Sequence, residues 1–285
     1  MYRKILAAVN EHVNSEIAAR YAMELARAAG SKLYICHVAE KSASAKSIQP
    51  AEEAAKRLFH RAREAGIEAE SIFDTGDPVK RIGNIVRSER IDVVFAATRR
   101  KDIERRFYSG TIARKLSVAL PCAVALVRVV HMGKLRPRKI LVPLKARINH
   151  ISEHAYFTAM MATAFDSCVY LFHTARLITK FFHGEVGLSP LEPENGLRKD
   201  LARFSECLGK YKVVQEKRLV SGRVGRNISI EAAAKRFDLV IMGASERGLL
   251  NSLLKGNPVE DVLRETPCDL IIFKPGHEDK QTAVG

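Results

Sequence analysis

The chain has 285 residues, of which 47% are hydrophobic and 28% charged, and its formal net charge is +15 at pH 7. This length suffices for two domains that each bury a core, and the composition is typical of globular rather than disordered proteins. The longest apolar stretch, Val118–Val127, is interrupted by Pro121 and is too short to span a bilayer. Charged residues lead directly from Met1 into a short strand, so no secretory leader is predicted. We therefore expect a soluble, cytoplasmic protein.

The positive charge comes from both halves of the chain and would attract anionic ligands to the surface. The aromatic residues are not interleaved with the basic ones, as they are on single-strand-binding faces, so nucleic acid is not an expected partner. The five cysteines show no zinc-ligand spacing. We predict no metal beyond the magnesium that accompanies a nucleotide.

In the first half, predicted strands alternate with predicted helices, which indicates parallel βαβ units. Asn14 and Ser15 are predicted to cap the first helix, and 40–50 is predicted to be a loop. The predicted strands are Ile5–Val9, Leu33–Val38, Ile67–Phe73, Ile91–Ala96 and Ala123–Val129. The predicted helices are Glu16–Ala29, Ala51–Ala65, Val79–Ser88 and Gly110–Ala119.

The second half repeats this order, with one addition. Residues 180–197 contain several glycines and prolines and are predicted to form a long irregular loop. Such a loop is either disordered or, as a hypothesis, a lid over the pocket of the second copy. The predicted strands are Ile140–Leu144, Cys168–Thr174, Val213–Val220, Asp238–Met242 and Leu270–Phe273. The predicted helices are Ser152–Phe165, Arg198–Gly209, Asn227–Arg236 and Val259–Arg264.

Matching stretches show that the chain is one unit written twice. The paired stretches are Arg3–Val9 with Arg138–Leu144, Leu33–His37 with Val169–His173, and Asp92–Thr98 with Asp238–Ala244. Repeats of this length are domain duplications rather than solenoid units.

The duplication sets the predicted organisation. We expect one domain over residues 1–131 and a second over 138–276, with a linker at 132–137 and a tail at 277–285. The expected fold class is α/β, with two tandem, open, parallel five-stranded sheets of the Rossmann-like kind and helices on both faces.

Several short motifs, most of them present in both copies, resemble those of the universal stress protein family. The first strands read Ile5–Asn10 and Ile140–Lys145, and Gly76–Pro78 gives the G-x-P turn after the third strand of the first copy. The last strands begin with a Pro-Cys pair, at Pro121–Val127 and Pro267–Phe273. The resemblance implies an adenine-nucleotide α-hydrolase-like fold. It also implies pairing of domains through their fifth strands, within one chain or in a homodimer.

The family's ATP-binding members carry G-x-x-G, nine further residues, and then G-S or G-T. In the second copy Gly243 and Gly256 stand at the expected separation, but Glu246 occupies the position of the second glycine and Asn257 replaces the hydroxyl residue. Ser245 and Gly248 lie in the same loop and complete the second-copy candidates. Glycines matter in such loops because phosphate oxygens must approach bare backbone N–H groups.

In the first copy the two leading glycines are replaced by Ala97 and Arg100, whereas Gly110-Thr111 is intact. Thr98 lies in the same stretch, and Arg99, Arg100 and Lys101 are predicted to help hold an anion. The family's adenine-contacting aspartate corresponds to Asn10 here and to Lys145 in the second copy. An asparagine side chain offers both a donor and an acceptor to a base edge.

Three hypotheses remain open from the sequence. In the first, one copy binds ATP or a related adenine nucleotide. In the second, neither does, and the protein is a nucleotide-independent dimerisation or scaffold module that acts through protein partners. In the third, the basic run draws a different anionic ligand.

No catalytic motif is present, so an enzyme is not predicted beyond weak ATP hydrolysis. His37 and His173 end equivalent strands and are interpreted as structural residues rather than as general bases. His150 and His154 have i,i+4 spacing without a third ligand nearby, so they are not predicted to hold a metal.

Overall fold

The computed structural model describes most of both repeats. Its described residues are 2–41, 44–98, 111–133, 135–144, 148, 150–175, 177–182, 185–190, 194–221, 224–244, 262 and 264–276. These residues form two compact units. One comprises the described residues up to Leu135 together with Ala244 and 272–276, and the other comprises those from Arg136 to Gly243 together with 262 and 264–271.

The first repeat is a parallel sheet covered by helices. Its strands are β1 (Lys4–Ala8), β2 (Lys32–Ala39), β3 (Ala69–Thr75), β4 (Val93–Ala97) and β5 (Ala123–Arg128), and they follow the order β3-β2-β1-β4-β5. All neighbouring pairs are parallel. The helices are α1 (Val13–Ala29), α2 (Ala45–Glu64), α3 (Pro78–Glu89) and α4 (Ile112–Ala119). The central strands β1, β4 and β5 are buried over almost their whole length because helices pack against the sheet.

The second repeat has the same strand order. Its strands are β6 (Lys139–Pro143), β7 (Cys168–Ala175), β8 (Leu177–Phe182), β9 (Glu185–Pro190), β10 (Gln215–Ser221), β11 (Leu239–Gly243) and β12 (Asp269–Lys274). The helices are α5 (Ile151–Phe165), α6 (Glu194–Gly209) and α7 (Val224–Ala234). The main sheet follows the order β10-β7-β6-β11-β12, and β10, β7, β6 and β11 pair in parallel. The predicted tandem α/β fold class is thus confirmed.

A carboxylate anchors the first strand of each repeat. Asp92 accepts hydrogen bonds from the backbone amides of Arg3 and Lys4, at 2.6 and 2.9 Å. Asp238 accepts the same two bonds from the residues that begin β6, both at 2.9 Å. Such charge-assisted bonds satisfy amides that lie outside the ladder, and they fix the start of the first strand.

The predicted start of the first helix is wrong. The helix begins at Val13 after the N-cap residue His12, whose side chain makes no capping bond. Ser15 lies inside the first turn, where its Oγ accepts from the Asn10 amide at 3.0 Å. The serine therefore ties the helix to the loop before it instead of capping the helix.

The predicted loop at 40–50 is also wrong at its carboxyl end, because α2 begins at Ala45 and contains Pro50. A proline normally suggests that a helix starts there. Pro50 is the sixth residue of α2 and removes one amide donor from the helix, but the turn before it still forms: the Ile48 amide bonds to the Ser44 carbonyl at 3.1 Å.

The predicted irregular passage at 180–197 contains regular structure. Strands β8 and β9 form a separate antiparallel two-stranded sheet, with Lys180 opposite Gly187, and α6 begins at Glu194. Glycine and proline are rare in strand interiors, so their presence in this stretch predicted a loop and not a hairpin. The strand tolerates Pro190 because this residue stands at the strand's end. The lid role stays a prediction.

The predicted helix at 259–264 lies mostly outside the described residues; 262, 264 and 265 are helical. Across the described ranges, no helix combines the length and the apolar character needed to cross a membrane.

Candidate functional site

A cleft of about 480 Å³ opens in the first repeat at the carboxyl ends of β1, β2 and β4. Strand β1 lies between β2 and β4, and the chain leaves β1 toward β2 but leaves β4 toward β5. The cleft therefore stands at the topological switch point, where ligands bind in open α/β sheets. Its lining residues are Ala8, Val9, Asn10, Ser15, Cys36, Val38, Glu40, Pro78, Ile82, Ala96, Ala97, Thr111, Ile112, Ala113 and Leu116.

Most residues that line the cleft are apolar, and polar atoms form about half of its lining surface, so the cleft suits a flat ring system that carries polar groups. Cys36 is part of this wall. Burial, with a smaller contribution from the charge of Asp74, raises the pKa of its thiol to about 12. The thiol therefore stays protonated at neutral pH and acts as a small apolar group rather than as a nucleophile.

Asn10 is the first polar residue of the cleft. Its Oδ1 accepts a hydrogen bond from the His12 amide at 3.0 Å, which identifies the oxygen of this side-chain amide. Its Nδ2 has no partner among the described residues. Asn10 therefore presents donors to the cleft, and its acceptor is used to shape the loop.

The amino-terminal end of α4 forms another wall. Thr111 is the N-cap, and its Oγ1 accepts from the Arg114 amide at 3.3 Å. Ile112 and Ala113 supply first-turn amides, which have no acceptor inside the helix. Because both residues line the cleft, these amides and the positive end of the helix dipole favour a negatively charged ligand group there.

The G-x-P turn places α3 at the rim of the cleft. Gly76 has φ 141°, a conformation that side chains disfavour, and Asp77 caps α3 by accepting from the Lys80 amide at 2.8 Å. Pro78 follows as the first helical residue and lines the cleft. The motif thus works as a helix-start signal that positions an apolar rim residue.

The structure brings together only part of the predicted first-copy set. Asn10 and Thr111 both line the cleft. Thr98 is buried outside the lining, with its hydroxyl donating to the Val127 carbonyl at 3.4 Å. Arg100 and Gly110 lie outside the described residues, as do Arg99 and Lys101. Sequence reasoning missed Cys36, which lies within the predicted strand Leu33–Val38, and Glu40, which begins the loop predicted after that strand.

In the second copy, the structure explains one glycine. A Cβ atom at Gly243 would lie 2.9 Å from Cε1 and 3.0 Å from Nδ1 of His154, which is closer than carbon atoms approach each other in proteins. Gly243 therefore gives the ring room to pack. The other second-copy candidates lie outside the described residues: Lys145, Ser245, Gly248, Gly256 and Asn257.

His154 itself is buried in the second repeat. It projects from α5 and makes an edge-to-face contact with Phe204 of α6, with ring centroids 5.2 Å apart. Burial lowers the pKa of its imidazole to about 4, so the ring is neutral at physiological pH. We see it as a packing residue.

The two strand-end histidines have identical contacts. Nδ1 of His37 lies 2.9 Å from the Val9 carbonyl oxygen, and Nδ1 of His173 lies 2.9 Å from that of Leu144. Both rings are buried, and within the described parts of the chain neither Nε2 has a hydrogen-bond partner. Each ring ties the loop after the first strand to the second strand.

The universal stress protein family model matches residues 1–128 and matches again over residues 137–274. This chain belongs to the universal stress protein family. Its two copies are the two repeats found in the sequence. No group of three or more potential metal-ligating side chains occurs in the part of this universal stress protein that the structure describes.

Solved structures with this fold cover nearly the whole chain. A universal stress protein from Archaeoglobus fulgidus DSM 4304 is similar at 16% identity, with a TM-score of 0.66 and 97% of each chain covered. A protein of unknown function from Pseudomonas aeruginosa PAO1 is similar at 18% identity and a TM-score of 0.64, over 96% of this chain and 93% of that one. At such identities the likeness is one of fold. No curated protein matches the chain.

Proposed function

We propose that this universal stress protein is a cytoplasmic regulatory protein that binds an adenine nucleotide, ATP or a close relative, in the cleft of its first repeat. The observation that carries the proposal is the cleft of about 480 Å³ at the switch point, closed on one side by the start of α4. That volume falls within the range of small-molecule sites.

The cleft offers a distinct environment to each part of a nucleotide. Apolar walls from the strand ends, α3 and α4 accept the purine ring, and the free Nδ2 of Asn10 can donate to a ring nitrogen. The first-turn amides of Ile112 and Ala113 suit a phosphate. The function we propose is sensing by binding, without a catalytic step, and any magnesium would come with the nucleotide.

The first test is mass spectrometry of the small molecules released when the purified protein is denatured, together with calorimetric titration with ATP. Released adenine nucleotide, or a micromolar titration, supports the proposal. A blank in both experiments contradicts it and favours the scaffold alternative, in which the protein acts through protein partners.

A matched pair of variants locates the site. Thr111→Asp keeps a good N-cap residue but adds a negative charge beside the phosphate seat, so ATP binding should weaken at least tenfold while the fold remains stable. Thr111→Ser keeps the cap without the charge and should bind as the wild type does. Equal affinity of all three proteins would place the nucleotide elsewhere in the chain.

The tandem copies also support pairing of the two repeats within one chain. Lys274, at the end of β12, is 2% exposed and donates to the carbonyl oxygens of Leu120 and Cys122, at 2.8 and 3.2 Å. All three residues belong to the first compact unit. We expect a monomeric mass by light scattering. A dimeric mass would instead favour pairing between two chains in a homodimer.

A further inference from the structure

Glu40 stands at the mouth of the cleft in a position that the proposed function does not yet use. It follows Ala39, the last residue of β2, and lines the same cleft as Asn10 and Thr111. In open α/β sheets, a carboxylate at the carboxyl end of the second strand is well placed to accept hydrogen bonds from sugar hydroxyls.

The Glu40 carboxylate is available for a ligand. It has no hydrogen-bond or ion-pair partner among the described residues, and it is the one acidic residue in the cleft lining. Several other acidic side chains of this repeat are already engaged; for example, Glu16 pairs with Arg57 at 3.0 Å and Asp77 caps α3.

The other polar side chains of the cleft are weaker acceptors than Glu40, because they are uncharged and each already accepts one backbone amide. Ser15 Oγ accepts from the Asn10 amide, and its hydroxyl lies within hydrogen-bond distance of the carbonyls of Asn10 and His12. Oδ1 of Asn10 and Oγ1 of Thr111 already accept backbone amides. A ligand group that donates hydrogen bonds therefore finds a free, charged acceptor side chain at Glu40.

Charge determines which ligand group this is. A carboxylate repels phosphate, so phosphate belongs on the other side of the cleft, at the start of α4. Glu40 and the first turn of α4 line the same cleft. One nucleotide carries both ribose hydroxyls and phosphates, so it can present a hydroxyl to Glu40 and a phosphate to the first turn of α4.

We propose that Glu40 recognises the vicinal 2′ and 3′ hydroxyls of a ribose, so that the cleft selects ribonucleotides over deoxynucleotides. This inference rests on the proposed function, since it assigns the sugar of the nucleotide in that same cleft. Two hydroxyls donating to the two carboxylate oxygens form charge-assisted hydrogen bonds, which are stronger than neutral ones. Loss of one such bond weakens binding by about tenfold or more.

The experiment is calorimetric titration of the full chain with ATP, 2′-deoxy-ATP and 3′-deoxy-ATP. The wild type should bind ATP at least about tenfold more tightly than either deoxy analogue. Glu40→Ala should bind all three alike, and more weakly than the wild type binds ATP, because it loses both hydrogen bonds. Glu64→Ala is the matched control, because this glutamate is exposed on α2 and lies outside the cleft lining. It should keep the wild-type preference.

The outcomes separate the two proposals. Wild-type protein that binds ATP and both deoxy analogues equally, or Glu40→Ala protein that keeps the preference for ATP, would overturn the ribose assignment and leave the nucleotide site standing. Failure of the wild type to bind any of the three would overturn the nucleotide site and the ribose assignment together.

Discussion

The loop that follows the first strand is held in the same way in both repeats but carries different chemistry. His37 in the first repeat and His173 in the second each place Nδ1 2.9 Å from the carbonyl oxygen at the start of this loop, on Val9 and Leu144. The next residue in the first repeat is Asn10, an uncharged donor that lines the cleft, whereas its counterpart in the second repeat is a lysine.

The end of the fourth strand shows a similar contrast. Ala97 in the first repeat lines the cleft, and its counterpart Gly243 leaves room for the buried ring of His154. Contacts that hold the backbone are needed by any copy that folds, so they occur twice. Positions that face the cleft do not hold the sheet, and their identities differ between the repeats.

The largest expected difference between the repeats is a pH effect at His154. Its folded pKa of about 4 lies below the ordinary imidazole pKa of 6.5, so the unfolded chain takes up the proton first as the pH falls. The contribution of His154 to the free energy of unfolding is therefore fully present above about pH 6.5. As the pH falls to about 4, the free energy of unfolding decreases by about 3 kcal/mol. Urea unfolding at about pH 7 and about pH 4.5 should show that His154→Leu lacks this part of the loss. An unchanged pH dependence in the variant would contradict the assignment.

The anchoring carboxylates should behave alike. Asp92→Ala and Asp238→Ala each remove an acceptor of two backbone amides and should each lower the free energy of unfolding by about 2 kcal/mol. Chemical denaturation of the two variants measures both values. Clearly different losses in the free energy of unfolding would show that the two anchoring carboxylates do not stabilise their repeats equally.

Gly243→Ala tests the packing contrast at the fourth strand. The added methyl group meets the buried His154 ring, so we expect the free energy of unfolding to fall by about 1.5 kcal/mol. This loss outweighs the gain from the lower conformational entropy that alanine gives the unfolded chain. In a His154→Ala background the same substitution should cost much less. Additive effects in this double-mutant cycle would rule out the contact as the reason for the glycine.

The smallest effect is expected at the start of α4. Thr111→Ala removes the cap to the Arg114 amide and should cost about 1 kcal/mol in thermal or urea unfolding. Thr111→Asn introduces the residue type that the second copy carries at 257 and should leave stability nearly unchanged, since asparagine caps equally well. A loss in Thr111→Asn equal to that in Thr111→Ala would contradict a capping role.

The sequence alone determined the duplication, the order of the strands and helices that the two repeats share, and the fold class. Apolar runs and helical periodicity are local patterns, and they occur twice in the same order. Local patterns failed at 40–50 and at 180–197. There, proline and glycine predicted irregular loops. The structure instead has the first turns of α2 in the first stretch and the hairpin of β8 and β9 in the second.

What each candidate residue does was decided by the tertiary structure. Asn10 and Thr111 were predicted from motif positions, and both line the cleft. Only the fold shows that Oδ1 of Asn10 is already used, and that Glu40 reaches the same cleft from the end of another strand. The packing of Gly243 against His154 joins residues far apart in the chain. Hydrogen-bond partners and close contacts depend on which strands become neighbours, and no local pattern in the sequence encodes that.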